Sequence, residues 1–143
     1  MKKLYLLLGL ILIAVMNSCE SVFPNDDLDH FWKLRTVEYR AGYDFDGIPC
    51  QSKTVKDYMF GFARHLLVIR PVDDIHDEYG IHAVTTEFSD SIKFDFSACH
   101  ASALDTLKLC GIDSLVTVFK LDYPDRNTLL LSGSKTVLTL EKW

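Results

Sequence analysis

Ile92-Lys93-Phe94-Asp95-Phe96 is the stretch that decides the fold. Apolar and charged side chains take turns along it. A period of two marks a strand with one face on a core and the other in water. Leu115, Thr117, Phe119 and Leu121 make a second row of this kind. Thr136, Leu138 and Leu140 make a third, opposed by Lys135, Thr139 and Glu141.

Outward from these rows, candidate strands fall near 31–40, 43–46, 48–51, 57–62, 65–70, 80–88, 91–97, 114–122, 127–132 and 135–142, with eight as the central count once some of the early ones are given to loop. Turn chemistry separates them. Asp46-Gly47 suits a two-residue hairpin, whose central positions need positive φ. Tyr123-Pro124-Asp125-Arg126-Asn127 puts proline where a type I turn fixes φ. Ser89-Asp90-Ser91 and Ser132-Gly133-Ser134 are further turns, and 72–80 is a longer polar connection. Ser102 to Gly111 breaks the alternation: Ala103, Leu107 and Cys110 recur at helical spacing, with Ser102 as N-cap and Gly111 just past the end. Short strands joined by hairpins fit a meander, and closing the meander removes exposed edges. The expected fold is all-β: an antiparallel up-and-down barrel of about eight strands with one short helix.

The alternation assigns an inward face. The candidate lining of the barrel is Trp32, Leu34, Leu67, Ile69, His82, Val84, Phe94, Phe96, Phe119, Leu121, Leu138 and Leu140. His82 shares parity with Val84, Thr86 and Phe88, and an inward imidazole is more often satisfied by backbone or hydroxyl partners than by a ligand.

The chain has 143 residues and a formal charge of −5, with 48% hydrophobic residues, nine Phe, six Tyr and two Trp. That composition supports one folded domain and not a solvated coil. The acidic balance speaks against nucleic acid as a partner, because phosphate neutralisation needs clustered Lys and Arg.

Lys2 and Lys3 precede an unbroken apolar run from Leu4 to Met16, followed by Asn17-Ser18-Cys19. Thirteen helical residues reach about 20 Å, short of the ~30 Å hydrocarbon core, which makes the run a signal-peptide core and not a membrane span. Ser18 before Cys19 resembles the lipobox of bacterial lipoproteins. That resemblance implies cleavage after residue 18 and acylation of Cys19. The expected organisation is a signal peptide at 1–18, a lipidated tether at 19–30 and the barrel domain at 31–143. Loss of Lys2 and Lys3 takes the charge from −5 to −7. Contact with a membrane is therefore expected through the acyl chains and not through a basic patch. The expected location is the bacterial cell envelope, the outer membrane before the inner, with the domain in the periplasm or at the cell surface. Asp26, Asp27 and Asp29 lack the glycine and distal glutamate of an EF-hand loop and read as a solvated linker.

Asp29-His30-Phe31-Trp32-Lys33-Leu34, after a lipobox and an acidic tether, resembles the start of the small lipocalin-like lipoproteins of the Bacteroides type. The last stretch, Thr128 to Trp143 with its Leu138-Thr139-Leu140 pair, is similar to their final hairpin. In lipocalins a Gly-x-Trp tryptophan closes one end of the barrel; here Trp32 takes that place and His30 stands in place of the glycine. The resemblance implies an eight-stranded barrel and, for most of the group, no established activity.

Chemistry-bearing motifs are sparse. His30, His65, His76, His82 and His100 are scattered singly, and His-Glu-x-x-His, Cys-x-x-Cys and Gly-x-Ser-x-Gly do not occur. The run Asp73-Asp74-Ile75-His76-Asp77-Glu78 collects metal-ligating types but reads as a hydrated turn. No catalytic residue, metal or cofactor is assigned. With Cys19 set aside, Cys50, Cys99 and Cys110 permit at most one disulfide; Cys99 and Cys110 flank the helix and either staple it or stay free.

Two functions fit. The first is a membrane-anchored binding module for a small apolar or amphipathic ligand, since eight strands leave room for side chains or one small molecule. The second is a non-enzymatic envelope interaction, assembly or inhibitor protein, with a side-chain-filled barrel that meets an envelope protein through its loops or outer face. A pocket of some 300 Å³ or more favours the first, and an exposed apolar patch on a solid barrel the second.

Overall fold

In a computed structural model of the protein, the described residues are 26–40, 53–54, 58–73 and 80–143. The expected signal peptide, Cys19, Cys50, the strands at 43–46 and 48–51, the Asp46-Gly47 turn and most of the 72–80 connection, His76 included, lie outside them.

The alternating segments form strands because each buries one face. In chain order they are β1 (Phe31–Tyr39), β2 (Lys53–Thr54), β3 (Tyr58–Ala63), β4 (Leu66–Pro71), β5 (Ile81–Glu87), β6 (Ser91–Asp95), β7 (Val116–Asp125), β8 (Thr128–Ser132) and β9 (Thr136–Lys142), with one helix, α1 (Ala103–Leu109), between β6 and β7. β3 to β9 pair in sequence, all antiparallel, and β1 pairs with both β3 and β9. Eight strands thus close into an up-and-down barrel, and β2 adds a short pairing against Thr36 and Val37.

The register stacks the inward residues. Trp32 lies opposite Phe60, Phe60 opposite Ile69, Phe62 opposite Leu67, and Phe94 opposite both Thr85 and Thr117. Phe94 is the hub: its ring centre sits 5.9 Å from Phe62, 6.2 Å from Phe96 and 5.4 Å from Phe119. Trp32, Phe60, Phe94, Phe96 and Phe119 are each less than 2% exposed. The lumen around these rings is packed with side chains, as protein interiors generally are.

The two ends of the barrel differ. At one, the turns β3–β4, β5–β6 and β7–β8 gather with a 3-10 turn at Asp26–Leu28. Trp32 closes this end. Its indole Nε1 donates to the Leu28 carbonyl at 3.2 Å, and Lys142 Nζ lies 5.9 Å from the ring centre. Leu28 is buried, so the last residues of the expected tether are packed on the domain. At the other end, the mouth, lie α1 and the β8–β9 turn.

Three local readings are corrected. β5 presents the opposite face to the one expected: Ala83 and Thr85 are buried, while His82 is exposed and Val84 is 55% exposed. The pairing fixes this, because Val84 lies opposite the outward Leu66 and Asp95. Thr85 is tolerated inside because its amide donates to the His65 carbonyl at 2.8 Å and its hydroxyl reaches the Arg64 carbonyl at 3.4 Å. The β7–β8 turn sits at Arg126-Asn127, beyond Pro124. Pro124 belongs to β7, where the pairing shifts register between Asp122 and Asp125 and spares the missing N–H. Asp125 organises that turn, accepting from the Asn127 amide at 2.7 Å and the Thr128 hydroxyl at 2.9 Å. Ser102 does occupy the N-cap, but its side chain makes no capping bond, because the Ala103, Leu104 and Asp105 amides find the carbonyls of His100, Ala101 and Ser102.

Candidate functional site

The mouth is built around the end of α1. Gly111 adopts φ 80°, and the Gly111 and Ile112 amides donate to the Lys108 and Leu107 carbonyls, a complete Schellman termination. This reversal turns Leu107, Cys110 and Ile112 into the barrel, all of them fully buried. The Thr136 hydroxyl donates to the Gly111 carbonyl at 2.7 Å, and Lys135 pairs with Asp113, so the β8–β9 hairpin holds the segment in place.

Beside this plug the mouth retains a cleft of about 470 Å³ between α1 and β3, β4 and β5. Tyr58, Ile69 and Ile81 give it an apolar floor and wall, and His100, Ser102 and Thr106 give it a polar rim. Burial, followed by the neighbouring Cys110, raises the Tyr58 pKa above its ordinary value, so at neutral pH this phenol is a neutral hydrogen-bonding group. Such a mix, a mostly apolar concavity with a few convergent polar groups, suits a small ligand.

The two described cysteines are both free, so the Cys99–Cys110 bridge is not made. They face apart. The Cys99 thiol donates to the His82 carbonyl at 3.0 Å, whereas Cys110 points into the core, where burial pushes its pKa up to about 12. A neutral buried thiol is a small apolar side chain and not a nucleophile.

Of the twelve expected lining residues, His82 and Val84 stand outside, and Trp32, Leu34, Leu67, Ile69, Phe94, Phe96, Phe119, Leu121, Leu138 and Leu140 are buried. Most of these ten form the packed core and do not border open space. Ile69 reaches the mouth cleft, and Trp32 reaches a second depression of about 460 Å³ at the closed end, shared with Tyr123, Arg126 and Lys142. There the Tyr123 hydroxyl is buried without a hydrogen-bond partner. Burial raises its pKa to about 12, with Asp27 and Glu87 adding to the effect. Sequence reasoning missed Tyr58, Ile81, His100 and Thr106. Proximity to the inserted helix marks His100 and Thr106 alone, and nothing local marks Tyr58 or Ile81.

Among the described residues, no group of three or more His, Cys, Asp or Glu side chains is placed to hold a metal ion, and no helix is long and apolar enough to cross a membrane.

A closed eight-stranded up-and-down barrel, sealed at one end by a tryptophan and capped at the other by a helix, defines a lipocalin-like protein. The comparisons agree: the lipocalin-like domain family matches residues 12–143, and the chain belongs to it. Two solved structures share the fold. A lipocalin-like protein from Bacteroides uniformis has 18% identity and a TM-score of 0.58, over 82% of this chain and 99% of its own. An uncharacterized protein from Bacteroides eggerthii has 15% identity and a TM-score of 0.59, over 81% of this chain and 99% of its own. Comparison with curated proteins gives no match.

Proposed function

We propose that this chain is a membrane-anchored, non-enzymatic binding module that takes a small apolar or amphipathic molecule at the mouth of its barrel. The cleft beside α1 carries this reading. At about 470 Å³ it falls in the range of small-molecule sites, and its apolar wall and polar rim suit a ligand with a greasy body and a hydrogen-bonding head. The packed lumen favours a ligand at the mouth over one among the phenylalanines. The anchor rests on the lysines, apolar run and Ser18-Cys19 at the start of the sequence. Two or more acyl chains on Cys19 would hold the protein stably in an envelope membrane, which we assign to the outer membrane.

The experiment is native mass spectrometry of the full protein, extracted from its own envelope in mild detergent. A co-purifying small molecule of fixed mass supports the module, and a protein with neither cargo nor partner contradicts it.

A stoichiometric protein partner would support a second reading, envelope interaction or assembly. The outer face of the filled barrel favours this alternative. Leu66 lies opposite Val84, Val84 and Val116 both lie opposite Asp95, and Val118 lies opposite Lys93, so four exposed aliphatic side chains share the surface of β4 to β7.

A further inference from the structure

We infer that the closed end of the barrel is a membrane-docking face, seated on the lipid interface with its rim of exposed aromatic side chains. Phe31, Phe88 and Trp143 are the Phe and Trp side chains that stand exposed among the described residues, at 55%, 47% and 66%. All three lie at the same end. Phe31 opens β1, Phe88 sits in the β5–β6 turn, and Trp143 follows β9, its amide bonded to the Phe31 carbonyl at 2.9 Å. Leu66, 55% exposed at the start of β4, joins them on the rim. Lys33 Nζ lies 5.7 Å from the Trp143 ring centre, a cation held against an aromatic face. Aromatic rings beside lysine are the side chains that settle at the boundary between headgroup and acyl chain, where one part of the group is apolar and the other is wet.

The length of the tether selects the lipid surface as the occupant. This step rests on the proposed acylation of Cys19. The described chain begins at Asp26, at the closed end. The seven residues from Cys19 to Asn25 span at most about 25 Å when fully extended, and about 15 Å as a flexible chain. The ten-residue β7 alone is about 33 Å long. An anchored barrel therefore keeps its closed end next to the bilayer, and the mouth cleft opens away from it into water. Asp27, Asp29, Glu87, Asp90 and Asp125 share the rim with Lys33, Arg64, Arg126 and Lys142, so the two signs nearly balance and no basic patch forms. The contact is accordingly apolar and suits zwitterionic headgroups better than anionic ones.

The test is tryptophan fluorescence of the full acylated protein in vesicles of phosphatidylcholine and phosphatidylethanolamine, with and without phosphatidylcholine brominated on its acyl chains. Brominated lipid is expected to quench one component of the emission. That component should disappear in Trp143→Phe and weaken in Phe31→Ser and Phe88→Ser. Trp32 closes the same end beneath this rim, so Trp143→Phe supplies its emission alone as the baseline, and the blue-shifted emission of this buried indole reports that the barrel remains folded. An acylated chain with no quenched component overturns the docking face while leaving the anchor intact. A chain whose mass shows Cys19 unmodified overturns both.

Discussion

The Thr136 hydroxyl donates a 2.7 Å hydrogen bond to the carbonyl oxygen of Gly111 and so joins the β8–β9 hairpin to the end of the plug. Gly111 is also where the chain reverses at φ 80°, and a Cβ there would come within 2.6 Å of Val37 Cγ1 and Leu138 Cδ2. Conformation and space both demand glycine. Gly111→Ala is expected to lower stability by about 2 kcal/mol or more. Thr136→Val leaves the buried carbonyl unpaired and should cost about 1–2 kcal/mol. Urea denaturation of both variants checks this. Equal midpoints for Gly111→Ala and wild type would show that the plug is not fixed where we place it.

The face presented by β5 yields a second prediction. Val84 points to solvent and Ala83 to the lumen, opposite Leu67. Val84→Lys should change stability by no more than about 0.5 kcal/mol, as surface substitutions do. Ala83→Lys puts a cation against packed rings and should abolish cooperative folding. Circular dichroism melts distinguish the two, and the reverse order would restore the parity expected from the sequence.

That contrast shows which parts of the fold could be read in advance. Lys93 and Asp95 flank Phe94 and mark the face of β6 unmistakably, and alternation of the same kind puts ten of the twelve expected residues on a buried face. β5 carries no Asp, Glu, Lys or Arg between Ile81 and Thr86. Its inward positions hold the small Ala83 and Thr85, whose polar groups are met by the Arg64 and His65 carbonyls, and hydropathy therefore points the wrong way. The mouth cleft was hidden for a different reason. It arises where α1 meets Tyr58, Ile69 and Ile81, from segments up to about fifty residues apart, and no local pattern encodes that meeting.

The cysteines give a third prediction. In the folded protein at pH 8, iodoacetamide should modify Cys99, which is partly exposed, and leave Cys110 untouched until the barrel unfolds; peptide mapping reads both sites. Burial raises the Cys110 pKa from 9.0 to about 12, so between those values the native state holds a proton that the unfolded chain releases. The stabilisation is complete below pH 9 and is lost as pH rises towards 12. Cys110→Ala should flatten the fall in stability over that window, measured by urea denaturation at a series of pH values. An unchanged slope would mean the thiol is not buried.

Substitutions at the mouth separate ligand from scaffold. Ile81→Arg projects a cation into the cleft, and Thr106→Trp fills it, while neither touches the Phe94 cluster. Both should keep the wild-type melting temperature within a few degrees and lose the co-purifying small molecule. Retention of that molecule by both variants would move the site elsewhere on the barrel.

Where a ligand sits decides the whole reading. A crystal structure of the full chain soaked with a bromine-labelled medium-chain fatty acid would locate the bromine by anomalous scattering. We expect it in the mouth cleft, in contact with Ile69 and Ile81, with α1 in place and the lumen still filled by Phe60, Phe94 and Phe119. Bromine among those phenylalanines, with Leu107 and Ile112 displaced, would contradict the filled barrel, and no bound bromine at all would contradict the binding module.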